Sequence, residues 1–423
     1  MSFFLQISTR YKTIFSAYLS RSIILTCKFI TVPILLMYLP REEYAVLAIL
    51  GGIEAWFLLL DFGMGASVQN TLSENQVKGI EEGAFLKTTL LISLCSLFVG
   101  VLLLYQLLPS FSSFFLHKMG SIEKMKNIFL FAGCFFILGM WGSIGGKIVV
   151  ARQKGYQMYL VQSMAHLISL ACTLSFGFLG KLSLMSAVFF SLGIPALGSC
   201  LLAIKIFSEV SWKGPLEWDM IKRARGFWLF AIMAALVSLS DSLIITRTLS
   251  IDEIVEYNIL CKIFGVASFA YAAFLQVLMP ECSQALLMGK VKEVEKTIYK
   301  HCTIGILGIC LFTCFVWGLS PFIERAFQIS LGWIGIIAFG LYLSTRVVAD
   351  FFAMALQSHS KLTSFFYLVP IQAVLSLSLQ YFLSIHIGIV GILLGLSLSY
   401  VLTVCWALPK QLKNLHIEKK SYG

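Results

Sequence analysis

Apolar runs of membrane-spanning length recur along the whole chain, and this recurrence limits the folds that the chain can adopt. A helix needs about 20 apolar residues to cross a hydrocarbon core of about 30 Å. Within lipid, a helix satisfies its backbone hydrogen bonds internally, which an irregular segment cannot do. Only 13% of the 423 residues are charged, compared with about a quarter in soluble domains. The pattern predicts an all-α polytopic membrane protein without a separate aqueous domain.

About twelve apolar segments have the length of a membrane helix. They cover residues 14–39, 43–69, 84–108, 127–150, 157–179, 182–207, 226–249, 254–280, 298–320, 331–357, 362–385 and 387–409. The longest polar connection, residues 208–226, lies between the sixth and the seventh segment. We therefore expect two six-helix bundles, residues 1–210 and residues 211–423.

A weak internal repeat supports this division. Leu39–Tyr44 (LPREEY) and Leu249–Ile254 (LSIDEI) both close an odd-numbered helix and open the next one with two carboxylates. The same shift also places Ser73 on Ser283. Because each repeat holds an even number of helices, both halves enter the membrane from the same side. Parallel repeats of this kind occur in transporters, in which the substrate binds near the bilayer midplane between the halves.

The basic excess of the chain, a net charge of +11, is distributed unevenly between the two sides of the membrane. If the N-terminus is cytoplasmic, 21 Lys and Arg residues fall on the inside. The seven on the outside are Arg41, Lys118, Lys124, Lys126, Lys181, Arg247 and Arg325. Inner loops of membrane proteins are enriched in Lys and Arg, so both termini are predicted to be cytoplasmic. The charge therefore indicates orientation and affinity for anionic lipid headgroups, not nucleic-acid binding.

Cysteine and histidine provide no sign of a metal centre. The 11 Cys and six His residues are scattered, mostly inside the apolar segments, without metal-ligand spacing,. The first apolar run follows Arg10 and Lys12 and lacks a small-residue cleavage site. We therefore expect it to remain as a membrane helix and not to be removed as a signal peptide.

Eight charged residues lie deep within the predicted helices, where each costs about 2.5–3.5 kcal/mol unless it is paired or hydrated. The cations are Arg21, Lys28, Lys262 and Arg346, and the carboxylates are Glu54, Asp61, Asp241 and Asp350. At a rise of about 1.5 Å per residue, two pairs in the first helical hairpin fall at matching depths. These pairs are Lys28 with Glu54 and Arg21 with Asp61. Arg346 and Asp350 are one turn apart on a single helix.

Two interpretations of these charges compete. In the first, they are ion pairs that tie helices together, since the eight charges sum to zero. In the second, they line a hydrated cavity in which the cations bind an anionic headgroup. The carboxylates would then hold the cations in place or carry protons or sodium. The spread of the charges over five helices in both halves favours the cavity.

One segment of the chain resembles a known family. Tyr44–Glu74 is similar to the second helix of bacterial polysaccharide flippases, where a D-hydrophobic-G-hydrophobic-G core precedes N-x-L-S-E. The matching positions are Asp61, Gly63, Gly65, Asn70, Leu72, Ser73 and Glu74. The preceding Glu42–Tyr44 is similar to the family's E-E-Y-G turn, with Ala45 in place of the glycine. Arg223–Ile245 resembles the family's seventh helix, which carries an aspartate in its middle, here Asp241.

The resemblance implies the fold of the multidrug-and-toxin extruders, in the multidrug, oligosaccharidyl-lipid and polysaccharide exporter superfamily. In the polysaccharide branch, a cationic cavity holds a polyprenyl-diphosphate-linked oligosaccharide, which alternating access moves across the bacterial inner membrane. Arg21, Lys28, Lys262 and Arg346 would bind the diphosphate, because Arg and Lys are the residues that hold phosphates. Glu54, Asp61, Asp241 and Asp350 would pair with them or couple transport to Na⁺ or H⁺, with no resident cofactor. Membrane lipids and a polysaccharide polymerase are the expected partners.

Two other classes of protein are compatible with a polytopic chain. A cation-coupled multidrug exporter of the same fold should favour acidic over basic residues in its cavity, and Lys28, Lys262 and Arg346 count against it. A membrane glycosyltransferase or polymerase usually carries its catalytic groups on a sizeable outer loop. The longest outer loop here, residues 109–126, offers only His117 and Glu123. We therefore expect a transporter and not an enzyme.

Overall fold

The computed structural model describes residues 2–78, 82–116, 122–210, 219–238, 240–358 and 365–421. Throughout these residues the regular secondary structure is helical, as the apolar runs predict. The described chain divides into two compact units, Met1–Ala235 and Leu236–Gly423. The division between Ala235 and Leu236 falls within a helix. The bundle boundary expected at residue 210 lies before this helix and stays a prediction.

The first unit is built from nine helices of the described chain, the last of which continues into the second unit. They are α1 (Ser2–Tyr38), α2 (Arg41–Phe57), α3 (Met64–Lys78), α4 (Gly83–Leu116), α5 (Ile122–Ala151), α6 (Gly155–Phe178), α7 (Leu184–Val188), α8 (Ile194–Phe207) and α9 (Asp219–Ser238). A 3₁₀ turn, Leu58–Asp61, follows α2, and a π-helical turn, Phe189–Gly193, joins α7 to α8. The sixth predicted span is therefore one continuous helical stretch.

The second unit contains six further helices among the described residues. They are α10 (Ser240–Thr248), α11 (Ile251–Leu287), α12 (Val291–Phe327), α13 (Trp333–Ser358), α14 (Phe365–Leu402) and α15 (Val404–Ser421). Aromatic side chains fill part of the core of this unit. The rings of Phe264 on α11 and Phe339 on α13 are stacked with their centroids 4.7 Å apart.

Eleven helical stretches of the described chain are long and apolar enough to cross a membrane. One of them, Tyr367–Asn414, has 48 residues, about twice the length that a single crossing needs. Ile387 and Gly388 inside it are not helical, and Gly388 has a φ of 56°. A Cβ atom on Gly395 would lie 2.6 Å from the backbone nitrogen of Gln380, so the two arms fold back on each other. The stretch is a helical hairpin, which accounts for the eleventh and twelfth predicted spans.

Small residues let the helices of the first unit approach closely. A Cβ atom on Gly142 of α5 would lie 2.7 Å from the backbone nitrogen of Cys200 on α8. One turn further, a Cβ atom on Gly145 would lie 2.6 Å from the Cα atom of Ala203. Membrane helices associate through such small-residue contacts because lipid provides little hydrophobic drive between them. The α5 and α8 pair is thus a fixed element on which charged residues can be positioned.

Candidate functional sites

The second membrane span is broken where the deep carboxylate Asp61 lies. After the 3₁₀ turn, Phe62 and Gly63 adopt left-handed φ angles of 51° and 75°, and α3 then begins at Met64. A left-handed conformation is uncommon for any residue other than glycine. The uninterrupted helix predicted over residues 43–69 is therefore wrong at this point, because the chain turns at Phe62 and Gly63.

Asp61 caps the helix that follows the break. Its Oδ1 atom accepts a hydrogen bond from the Gly63 backbone N–H at 2.7 Å, and Oδ2 accepts one from Gly65 at 3.1 Å. A carboxylate at a helix N-terminus satisfies backbone donors and interacts favourably with the helix dipole. The backbone therefore holds the Asp61 side chain in a fixed direction.

The cation beside Asp61 is Lys147 of α5, not the predicted partner Arg21. The positive charge of Lys147 acts on Asp61, and its Cγ atom lies 3.5 Å from the position of a Cβ atom on Gly65. Arg21 is exposed on α1, and no ion pair joins it to Asp61 in the described structure. The comparison of residue depths within the first hairpin could not identify Lys147. The turn at Phe62 and Gly63 directs Asp61 towards α5, which is outside that hairpin.

Residues in the first half of α9 pack against the break. The Trp228 indole N–H donates to the backbone oxygen of Leu59 at 2.8 Å, a carbonyl that also accepts from the Phe62 N–H at the end of the 3₁₀ turn. The rings of Phe62 and Trp228 lie 5.3 Å apart. A Cβ atom on Gly63 would lie 2.3 Å from the backbone oxygen of Ala224. Only glycine fits this position, since both the φ angle and the space exclude a side chain.

A second charged group in the first unit contains Lys28 of α1, Glu54 of α2 and His166 of α6. The charge of Lys28 acts on both Glu54 and His166. No direct ion pair joins Lys28 to Glu54 among the described residues, so their association is a longer-range attraction. Lys28 is an exposed residue of α1. His166 was not expected here, because its position is on a helix that the depth comparison did not include.

In the second unit, α13 aligns three functional side chains on one face. Tyr342, Arg346 and Asp350 are spaced four residues apart, a spacing that places them above one another on a helix. Arg346 Nε lies 3.4 Å from Asp350 Oδ2, and its Nη1 donates to the Tyr342 hydroxyl at 3.2 Å. The expected contact between Arg346 and Asp350 is therefore present.

Two neighbouring helices complete this cluster. The Tyr271 hydroxyl of α11 donates to Asp350 Oδ2 at 2.9 Å. Asp241 of α10 accepts hydrogen bonds from the Tyr257 hydroxyl and, at 2.7 Å, from the Ser242 backbone N–H. The charge of Arg346 also acts on Asp241. One arginine thus contacts Asp350 and acts through its charge on Asp241, and a tyrosine hydroxyl donates to each of these carboxylates.

The remaining predicted cation, Lys262, lies on α11 next to Cys261, on which its charge acts. The negative charge of Asp241 acts on the same cysteine, so Lys262 lies near the edge of the cluster. The sequence analysis did not identify the tyrosines of this cluster. For Tyr342 a signal was present, because it shares the four-residue spacing of Arg346 and Asp350. Tyr400 of α14 belongs with them, with its ring 6.3 Å from that of Tyr342.

The cluster leaves part of the arginine free. A guanidinium group has five N–H donors, and two of those of Arg346 face Asp350 and Tyr342. The other three contact no acceptor among the described residues. The Arg346 side chain is 34% exposed. Exposure to lipid at mid-membrane would cost about 2.5–3.5 kcal/mol, so we expect the exposed part to face water. Such a group can bind a phosphate through two parallel hydrogen bonds.

Two curated proteins are similar to the chain over almost its whole length. The chain is 32% identical over 414 residues to an O-antigen export protein of Yersinia pseudotuberculosis, covering 93% of both sequences. It is 29% identical over 406 residues to an O-antigen transporter of Salmonella typhi, covering 93% of this chain and 94% of that protein. No protein-family model matches the chain.

Solved structures share the fold at low sequence identity. A multidrug resistance transporter of the MATE family in an inward-facing conformation aligns with a TM-score of 0.76 at 13% identity, covering 94% of this chain and 98% of that one. The lipid II flippase MurJ in an inward closed conformation aligns with a TM-score of 0.69 at 13% identity, covering 96% and 90%. Both confirm the fold expected from the flippase resemblance.

Proposed function

The chain belongs to the family of bacterial O-antigen transporters, and from this we propose that it is a flippase for a polyprenyl-diphosphate-linked oligosaccharide. The cargo would be a repeat unit of O-antigen, capsule or exopolysaccharide. The headgroup would cross the cytoplasmic membrane by alternating access, while the lipid tail stays in the bilayer. Transport of this kind needs no catalytic residue in the chain.

The partly free guanidinium of Arg346 is the observation that carries this proposal. A diphosphate that leaves water for a membrane interior requires positively charged donors. Arginine binds it better than lysine, because its planar fork matches two phosphate oxygens. In the first unit, Lys28, an exposed residue, can supply a second positive charge. Arg21 and Lys262 complete the set of proposed headgroup ligands.

The carboxylates support coupling of transport to a monovalent cation. Arg346 lies 3.4 Å from Asp350 and its charge also acts on Asp241, so two carboxylates share this arginine, with Lys262 at the edge of the cluster. A proton or Na⁺ could bind at the carboxylate that the arginine does not contact directly, and Asp61 and Glu54 could serve the same purpose in the first unit. Export of an organic cation is the alternative, and the fold shared with a multidrug transporter supports it. The deep Lys and Arg residues argue against that alternative, because they repel a cationic cargo.

Removal of Lys28 should weaken export of the surface polysaccharide. In Lys28→Ala cells we expect about a tenfold loss, the consequence of losing one charge-assisted hydrogen bond to phosphate. Polysaccharide can be measured on whole cells by gel electrophoresis and staining. Lys154→Ala, which removes an exposed lysine between α5 and α6, is the matched control and should export normally. Wild-type export by Lys28→Ala would remove Lys28 from the proposed site.

Cells that lack the chain should separate the two candidate functions. A flippase deletion should remove surface polysaccharide and accumulate lipid-linked repeat units that externally added glycosidases cannot reach in spheroplasts. Complementation with the wild-type gene should reverse both effects. If surface polysaccharide is normal and susceptibility to cationic drugs rises, the chain is a drug exporter instead.

We also propose that both termini lie in the cytoplasm of a bacterium and that the chain lies in the inner membrane. In intact cells, a membrane-impermeant thiol reagent should label Lys181→Cys, in the turn between α6 and α7. Asn414→Cys, in α15, should react only after the cells are permeabilised. Unsubstituted protein, which contains 11 cysteines, provides the background. The opposite labelling pattern would invert the topology.

A further inference from the structure

Tyr271 and Asp350 form a short chain of contacts that ends on the arginine of the proposed site. The Tyr271 hydroxyl donates to Asp350 Oδ2 at 2.9 Å, and the same oxygen lies 3.4 Å from Arg346 Nε. Tyr271 lies on α11, whereas the other two residues lie on α13. The orientation of Arg346 therefore depends on a residue of another helix.

The contacts of Arg346 involve two of its three nitrogen atoms, Nε and Nη1. Nε is buried, makes no hydrogen bond and lies 3.4 Å from Asp350 Oδ2 as an ion pair, and Nη1 donates to Tyr342. A free arginine side chain has about 2 kcal/mol of rotamer entropy, part of which is lost whenever it is held for binding. Two neighbours already in contact with the guanidinium group reduce that loss at the moment when a ligand arrives.

We propose that Tyr271 and Asp350 are positioning residues, which hold the Arg346 guanidinium so that its remaining N–H donors present a bidentate site to the diphosphate of the lipid-linked cargo. This inference rests on the proposed flippase function. Asp350 restrains the guanidinium through its ion pair with Nε. Tyr271, only 7% exposed, fixes the carboxylate in turn. Neither residue needs to contact the cargo.

The tyrosine hydroxyl is the part of this chain of contacts that can be removed with least disturbance. Tyr271→Phe keeps the buried ring and removes only the donor to Asp350. Asp350 then retains Arg346 as its contact, but its carboxylate is free to rotate. Loss of the Tyr271 hydroxyl acts on Arg346 only through Asp350. We therefore expect roughly a fivefold to tenfold weaker affinity for a diphosphate, the effect of about one hydrogen bond.

The test measures binding of farnesyl diphosphate to the purified full-length protein in detergent, by calorimetry. Wild-type protein should bind it, and Tyr271→Phe should bind it roughly fivefold to tenfold more weakly. Arg346→Lys has no planar fork to orient. In that background, Tyr271→Phe should therefore cause no further loss. This non-additivity separates positioning from a general structural role. In a general structural role, Tyr271→Phe would weaken diphosphate binding by the same factor in the wild type and in Arg346→Lys.

Three outcomes decide between the possibilities. An equal loss in both backgrounds, or unchanged affinity in Tyr271→Phe, overturns the positioning role while leaving the flippase intact. Absence of diphosphate binding by the wild-type protein would instead contradict the proposed function. Tyr381→Phe, at an exposed tyrosine of α14, is the matched control and should bind like the wild type. Asp350→Asn, which keeps an oxygen acceptor, is a second variant and should also weaken binding, by about tenfold.

Discussion

Arg346→Ala should abolish export of surface polysaccharide while the protein remains in the membrane at the wild-type level. The substitution removes the guanidinium whose free N–H donors we assign to the diphosphate. It also leaves Asp350 and Asp241 without the cation that acts on both. Loss of a bidentate charged contact to a phosphate is worth about 3 kcal/mol, which corresponds to more than a hundredfold loss of affinity. Whole-cell polysaccharide and immunoblots of isolated membranes measure the two quantities separately.

Two further variants separate the effect of the positive charge from that of the planar guanidinium geometry. Arg346→Lys keeps the positive charge and should retain a small part of the export, because a lysine cannot make the planar bidentate contact. The double variant Arg346→Ala with Asp350→Ala removes both charges of the pair. Like the single variant, it should keep the wild-type protein level and should not export. Arg325→Ala, at the exposed end of α12, should export normally. Export by Arg346→Ala above about a tenth of the wild-type level would contradict the site.

Gly63→Ala should destabilise the protein more than any other alanine substitution of similar size in the second span. The residue has a φ of 75°, and a Cβ atom would lie 2.3 Å from the backbone oxygen of Ala224. Strain at such a φ angle costs about 1–3 kcal/mol, and a forced contact in a packed region about 1–3 kcal/mol more. We expect a total of about 3 kcal/mol or more, with little protein recovered from membranes. Thermal unfolding in detergent measures the change.

Gly51→Ala provides the matched control for this prediction. Gly51 lies in the helical part of the same span, and no atom would lie within 4 Å of its Cβ atom. Alanine is about 0.5–1 kcal/mol more favourable than glycine in a helix, so Gly51→Ala should keep or slightly raise the unfolding temperature. Equal unfolding temperatures for Gly51→Ala and Gly63→Ala would show that the break at Asp61 is not a rigid feature of the fold.

The membrane architecture could be predicted from the sequence, because it depends on local properties of the chain. The thickness of the bilayer sets the length of each apolar run, and the helix is the structure that satisfies the backbone within lipid. The eleventh and twelfth spans illustrate this, since the turn at Ile387 and Gly388 lies where the two predicted helices meet. The contact between Arg346 and Asp350 was also within reach, as one helical turn separates the two residues.

The partners of the other deep charges were decided by the tertiary structure. Asp61 and Arg21 lie at matching depths in neighbouring segments, yet the left-handed turn at Phe62 and Gly63 directs Asp61 to its own backbone and to Lys147 of α5. Tyr271, 79 residues before Asp350, is a further example. Depth along a helix follows from counting residues, at about 1.5 Å each. Which faces of two helices meet depends on packing between distant segments, and no local pattern in the chain records it.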